Sequence, residues 1–118
     1  MSGAHAYELY YYQSRTGHMP FGAWVDGITD AVAAGAIQHR LARLQRGLFG
    51  DCKPVGEGVL ELRIEVGAGY RAYIARAGGR VILLLCGGDK RTQTRDIELA
   101  QEYWRDYAQR TRTGGSTG

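Results

Sequence analysis

The chain has 118 residues, 44% of them apolar, and a formal net charge of +3. That length suits one domain with one core, and that apolar content excludes wholesale disorder. No apolar run approaches the ~20 residues that span a bilayer, and no basic segment followed by an apolar stretch opens the chain, so a cytoplasmic protein without a membrane partner is expected.

Tyr7 to Tyr12 is rich in aromatics and reads as a strand. Pro20 favours the first turn of a short helix carrying Phe21, Trp24 and Val25. A longer helix is predicted from about Thr29 to Arg46, with Ala33, Ile37, Leu41, Leu44 and Leu48 at steps of three and four along one face. Gly47 and Gly50 end it. The segment Gly50 to Gly58 reads as turns. Val59 to Val66 then alternates: Leu60, Leu62, Ile64 and Val66 face one way, and Glu61, Arg63 and Glu65 the other. Gly67-Ala-Gly69 reverses the chain, Tyr70 to Arg76 returns, Gly78-Gly79 turns again, and Arg80 to Cys86 forms the next strand before Gly87-Gly88. A last helix is expected from about Thr94 to Arg110, with Ile97, Ala100, Trp104 and Ala108 inward.

The expected order is β-α-α-β-β-β-α, an α+β fold. Short glycine turns imply an antiparallel meander, with helices packed on one face and Arg63 and Arg71 on the open one. One domain over residues 1–110 is expected, followed by a disordered Gly/Ser/Thr tail over 111–118. The predicted core includes Leu62, Ile64, Tyr73, Leu84 and Trp104.

Cys52 and Cys86 stand far apart without a CxxC pattern, so two reduced thiols are expected, with neither a disulfide nor a zinc site. No nucleotide-binding glycine motif is present, and no cofactor or metal is expected. His5, His18 and His39 show no catalytic pairing. The basic excess is concentrated: Lys53 to Arg95 holds eight basic and four acidic residues. A polyanion would dock there if these side chains share a face.

The segments GDCKPVGEGVLELRIEVGAGYRAYI and LLLCGGDKRTQTRDIELA resemble the addiction-module killer proteins of the RelE/ParE superfamily, in its phage Gp49-like and HigB-like branch. The likeness covers roughly Phe21 to Ala108. Its most specific parts are KPVGEGVLELRI, the Gly69-Tyr70-Arg71 triplet and LLLCGGDK at Leu83–Lys90. The resemblance implies a small RelE-like fold, a curved antiparallel sheet with helices packed on one face. It also implies the toxin of a type II toxin–antitoxin system, neutralised by a cognate antitoxin that in this branch is often a helix-turn-helix DNA-binding protein. RelE-like and HigB-like toxins cut mRNA on the ribosome as metal-independent endoribonucleases. ParE-like toxins inhibit DNA gyrase by binding, and a degenerate toxin would bind only its antitoxin.

By the resemblance, Arg71 matches the arginine that contacts the scissile phosphate, and its planar fork suits phosphate oxygens. Arg63, on the neighbouring strand, matches a basic phosphate-binding position. Lys90 or Arg91 takes the place of a basic residue before the last helix, and Lys53 or Lys90 is a candidate proton shuttle, with Lys90 preferred because its motif is the more specific. Lys53, Arg91 and Arg95 are expected to bind RNA. Read from pattern alone, Arg71 could instead pair with Glu61 or Glu65, and Glu65 reads better as such a partner than as a base. The stretch Thr92 to Ile97 departs from many RelE-like enzymes in carrying neither Tyr nor His. Asp96, in the first turn of the last helix, reads as a helix-dipole partner.

Overall fold

The computed structural model describes residues 6–115, with side chains to residue 112; His5 and the last three residues of the expected tail lie outside that range. The elements, in chain order, are β1 (Glu8–Tyr11), α1 (Pro20–Asp26), α2 (Ala31–Gln45), β2 (Cys52–Pro54), β3 (Val59–Ile64), β4 (Tyr70–Arg76), β5 (Val81–Asp89), a 3-10 turn (Lys90–Thr92) and α3 (Gln93–Gly115). Three helices pack against a five-stranded sheet of order β1-β5-β4-β3-β2. The meander expected from the glycine turns is present as β3, β4 and β5.

Several expectations are corrected. The segment expected as turns contains β2, which pairs antiparallel with β3 and sets Lys53 opposite Glu61. The sheet is mixed, because β1 runs parallel to β5, Glu8 beside Val81 through Tyr11 beside Leu84. Because β2 runs antiparallel to β3, and β3 runs the same way as β5, the chain that leaves β1 returns along β2 before the meander begins. Helix α3 runs on through the expected tail as far as Gly115.

The largest correction concerns the layers. Helices cover both faces of the sheet. Leu62, Ile64, Ala72, Ile74, Ile82 and Leu84 pack with Phe21 of α1 and with Ile37 and Leu44 of α2. The alternate positions, Val59, Tyr73, Ala75, Leu83 and Leu85, pack with Ala100 of α3 and with Ile97, Tyr103 and Trp104 around it. The run from Val81 to Leu85 is apolar at consecutive positions, as a strand buried on both sides must be. Tyr12 fastens α3 to this second face. Its ring stacks on Tyr103 at 4.9 Å between centroids, and its hydroxyl donates to Asp106 Oδ2 at 2.6 Å. Burial and that carboxylate push the Tyr12 phenol up to about 12.

A bulge in β5 decides what the end of this strand presents. Tyr73 pairs with Cys86, but Ile74 pairs with Leu84, so Leu85 is an extra residue. Leu85 and Cys86 therefore both face α3. Beyond the bulge, Gly87 turns to α1 and Gly88 to α3. A Cβ on Gly87 would lie 2.2 Å from the Trp24 ring, and one on Gly88 would lie 1.8 Å from Asp96 Oδ2. Glycine at both positions lets a helix approach the strand closely from each side.

Helix α2 starts at Asp30, whose carboxylate accepts from the Val32 and Ala33 N–H groups. Its buried stripe is Ala33, Ile37 and Leu44, as the periodicity predicts, whereas Leu48 lies beyond the helix and is exposed. Arg40 leaves α2 sideways and donates to the carbonyls of Arg63, Phe49 and Asp51 at 2.5, 2.8 and 2.7 Å. It thereby holds the backbone behind Arg63 in place. Both cysteines are free, and burial, followed by the nearby Asp96, pushes the Cys86 thiol up to about 12, far from a reactive thiolate.

Candidate nucleic-acid interface

The basic residues singled out in the sequence gather at the end of the sheet where β3 turns into β4 and β5 leads into α3. Alternation along β3 sends Glu61 and Arg63 to the α3 face, and alternation along β4 does the same for Arg71 and Tyr73. In the β3–β4 ladder Arg63 pairs with Arg71 and Glu61 with Tyr73. Lys90 arrives from the far side of β5. Its N–H donates to the Gly69 carbonyl at 3.1 Å, and its side chain crosses Gly69, where a Cβ would lie 2.5 Å from Lys90 Cε. Arg63, Arg71 and Lys90 thus converge on one corner, two of them in register and the third laid across the residue two before Arg71.

The corner is not the open sheet surface that the alternation suggests. The first turns of α3 rest on it, and Arg71 is only 6% exposed. Arg71 Nη1 donates to Glu65 Oε2 and to the Tyr70 carbonyl, each at 3.3 Å. Its Nε is buried without a hydrogen-bond partner. Of the two glutamates that could pair with Arg71, Glu65 is the one that does.

Arg63 is held differently. Its Nε donates to Glu61 Oε1 at 3.3 Å. Glu61 is fully buried and also accepts from the Tyr73 hydroxyl at 3.0 Å and from Gln93 Nε2 at 2.7 Å. Burial works to raise its pKa, but the hydrogen bonds from Gln93, Tyr73 and Arg63 outweigh it and hold the carboxyl below its ordinary range. Tyr73 responds in the opposite sense: burial, then the Glu61 carboxylate, raise its phenol well above normal. This buried network docks the start of α3 on the sheet. Sequence reasoning missed Gln93 because its contact with Glu61 spans 32 positions. It placed Glu61 on a solvent face because a charged alternate row looks the same whether water or a helix covers it.

The remaining basic residues spread outward. Lys53 is exposed on β2 and shares the Glu61 side of the sheet. Arg91 is exposed and donates to Asp89 Oδ2 at 3.1 Å; that bond comes first among the causes that depress the Asp89 carboxyl. Arg95 reaches Asp96 Oδ1 at 3.7 Å. With Thr92, Thr94 and Glu98, these two arginines line a shallow depression at the start of α3. Asp96 is buried and accepts from the Thr92 hydroxyl at 2.5 Å above Gly88, so it acts as a local tether. Lys53 stands apart from the Arg63–Arg71–Lys90 corner, whereas Arg91 and Arg95 extend it. His18 and His39 are exposed and belong to other elements.

Among the described residues no three His, Cys, Asp or Glu side chains are grouped as a metal site would need, and no helix is long and apolar enough to cross a membrane. No family model matches the chain. An uncharacterized protein of Haemophilus influenzae is 45% identical to it over 83 residues, which is 70% of this chain and 84% of the relative. The two proteins belong to one family. That kinship names no activity.

Proposed function

We propose that the chain is the toxin of a type II toxin–antitoxin pair, with a RelE-like fold, and that it cuts mRNA on the ribosome without a metal. The observation that carries this reading is the convergence of Arg63, Arg71 and Lys90 on one corner, with a hydrogen-bonding position of the Arg71 guanidinium unused. In such a reaction the 2′-hydroxyl of one nucleotide gives up its proton to solvent as its oxygen attacks the adjacent phosphorus, and the bond to the 5′-oxygen breaks as that oxygen takes up a proton. A 2′,3′-cyclic phosphate and a 5′-hydroxyl result. Charge builds on the non-bridging oxygens, where a guanidinium fork and an ammonium group stabilise it. Arg71 would supply the fork, Lys90 the ammonium and a proton for the leaving oxygen, and Arg63 a second fork anchored on Glu61. Arg91, Arg95 and Lys53 would track the flanking phosphates. The likeness of the GYR and LLLCGGDK segments to the RelE/ParE superfamily supports the same reading, with a helix-turn-helix antitoxin as the neutralising partner.

Expression in a bacterial host followed by transcript-end mapping tests it. New 5′-hydroxyl ends in translated mRNA, absent when Arg71 is replaced, are expected. A second reading, inhibition of gyrase by binding alone, is favoured by the ion pairs that already engage Arg63 and Arg71 and by the lack of Tyr or His from Gln93 to Ala100. Growth arrest with unchanged transcript ends and impaired supercoiling would select it. Growth unaffected, with tight antitoxin binding, would reduce the protein to a regulatory module.

A further inference from the structure

We infer that Glu65 is an autoinhibitory latch: its carboxylate occupies the place of an incoming anion on Arg71 and must leave before that anion can bind. The inference rests on reading Arg71 as a phosphate-binding residue, and it concerns how that residue is kept closed.

Two glutamates, each two residues from Arg63, are held in contrasting ways. Glu61 is fully buried and accepts from three side chains, so moving it would strand a tyrosine hydroxyl, an amide and a guanidinium. Glu65 is 54% exposed at its side chain. It is held by the 3.3 Å contact with Arg71 Nη1, to a single oxygen. Guanidinium–carboxylate pairs built for stability are usually bidentate and shorter. Here the fork is used at one corner, while Nε, in the same buried guanidinium, has no partner. Buried polar atoms left without partners are uncommon in native proteins, and each calls for an explanation. A tetrahedral anion in place of Glu65 could engage the fork more fully than this carboxylate does.

The latch is also free to move. Glu65 follows the last residue of β3 and begins the turn to β4, in which Gly67 and Gly69 hold φ of +53° and +80°. Its displacement needs a change of side-chain rotamer, with no ladder bond broken. Ion pairs open to water contribute at most about 1 kcal/mol; with Glu65 exposed and Arg71 buried, this pair is taken at that upper end, which corresponds to about a fivefold change in a binding constant. Glu65 therefore tunes anion affinity without abolishing it.

Titration of the full chain with inorganic phosphate, followed by the nitrogen-15 resonance of Arg71 Nε, tests this directly. Glu65→Gln should tighten phosphate binding about fivefold. Glu98→Gln removes the same charge beside Arg91 and Arg95 and should change it far less. Adding Arg71→Lys to Glu65→Gln should erase the gain, with phosphate affinity in all variants compared by calorimetry. Equal affinity in wild type and Glu65→Gln, equal gains from Glu65→Gln and Glu98→Gln, or no response of Arg71 Nε to phosphate in either protein would each overturn the latch. Transcript ends do not enter this readout. A functioning latch in a protein that leaves mRNA intact would sink the nuclease reading alone, and an RNA-cutting protein indifferent to Glu65→Gln would sink the latch alone.

Discussion

Arg63 and Arg71 stand directly opposite each other in the β3–β4 ladder, so two like charges share one cross-strand position on the face that α3 covers. Such a pair is destabilising by itself. Glu61 and Glu65 flank Arg63 along β3 and its turn, and each takes one arginine. The corner is thus a compensated cluster in which one ion pair is anchored in the core and the other is open to water.

The two arginines should respond differently to substitution. Arg71 is buried with a weak partner and an unpaired Nε. Removing one member of a buried ion pair is costly when it strands a buried charge, but the Glu65 carboxylate is open to water and is not stranded. Arg71→Met is expected to keep or raise stability, by up to about 1 kcal/mol, in urea unfolding, while growth arrest on induced expression disappears. Loss of more than about 2 kcal/mol would make Arg71 a structural residue.

Glu61→Leu should behave in the opposite way. It leaves the Tyr73 hydroxyl and the Gln93 amide without their acceptor beneath α3. The expected cost is about 2–4 kcal/mol, measured by urea denaturation. Glu65→Gln, on an exposed side chain, should stay within about 0.5 kcal/mol of wild type.

Stability should fall in acid, and Glu61 should contribute to the fall. Its carboxyl is held below the ordinary value of 4.5 in the folded chain. The unfolded chain therefore takes up the proton first as pH drops, and the stabilisation is complete above about pH 4.5 and lost as pH falls through the lower folded value. Asp106, depressed by the hydrogen bond from Tyr12 and by Arg110, adds to the same limb. Melting temperatures measured from pH 7 to pH 3 should show a shallower acid limb in Glu61→Gln. An identical slope in both proteins would mean that the Glu61 carboxyl titrates alike in the folded and the unfolded chain.

Two glycines give a paired test of packing. Gly88→Ala would drive a methyl group to 1.8 Å from Asp96 Oδ2 at the base of α3. Overpacking of this kind is expected to cost about 1–3 kcal/mol. A methyl group added to Gly35, within α2, would meet nothing within 4 Å. Gly35→Ala should gain about 0.5–1 kcal/mol from helix propensity. Thermal or urea unfolding of both variants measures the contrast.

The strands of the meander and the buried stripe of α2 were legible because each follows a local period. Leu60, Leu62 and Ile64 alternate, and Ala33, Ile37 and Leu44 recur at helical spacing. The second core was legible in part. The consecutive apolar residues Val81 to Leu85, with Tyr73 and Ala75 opposite, indicate a strand covered on both sides, but the charged row Glu61-Arg63-Glu65 argues for an open face. The first signal is correct and the second misleads: α3 covers the apolar end of that face and rests its polar first turns on the charged end, burying Glu61 and Arg71.

By itself, the sequence determined the strands of the meander, β1 and the three helices, though neither β2 nor the full length of α3, together with where glycine turns reverse the chain and that basic residues concentrate from Lys53 to Arg95. Local sterics and hydrophobic periodicity are written residue by residue, so no distant partner is needed to read them. Only the tertiary structure decided that β1 joins β5 in parallel, that the bulge at Leu85 turns Gly87 toward Trp24 and Gly88 toward Asp96, and that Arg71 is buried against Glu65 while Arg63 is anchored on Glu61. Those outcomes depend on which groups meet across dozens of residues. Burial and charge pairing belong to the assembled neighbourhood, which no single stretch of chain contains.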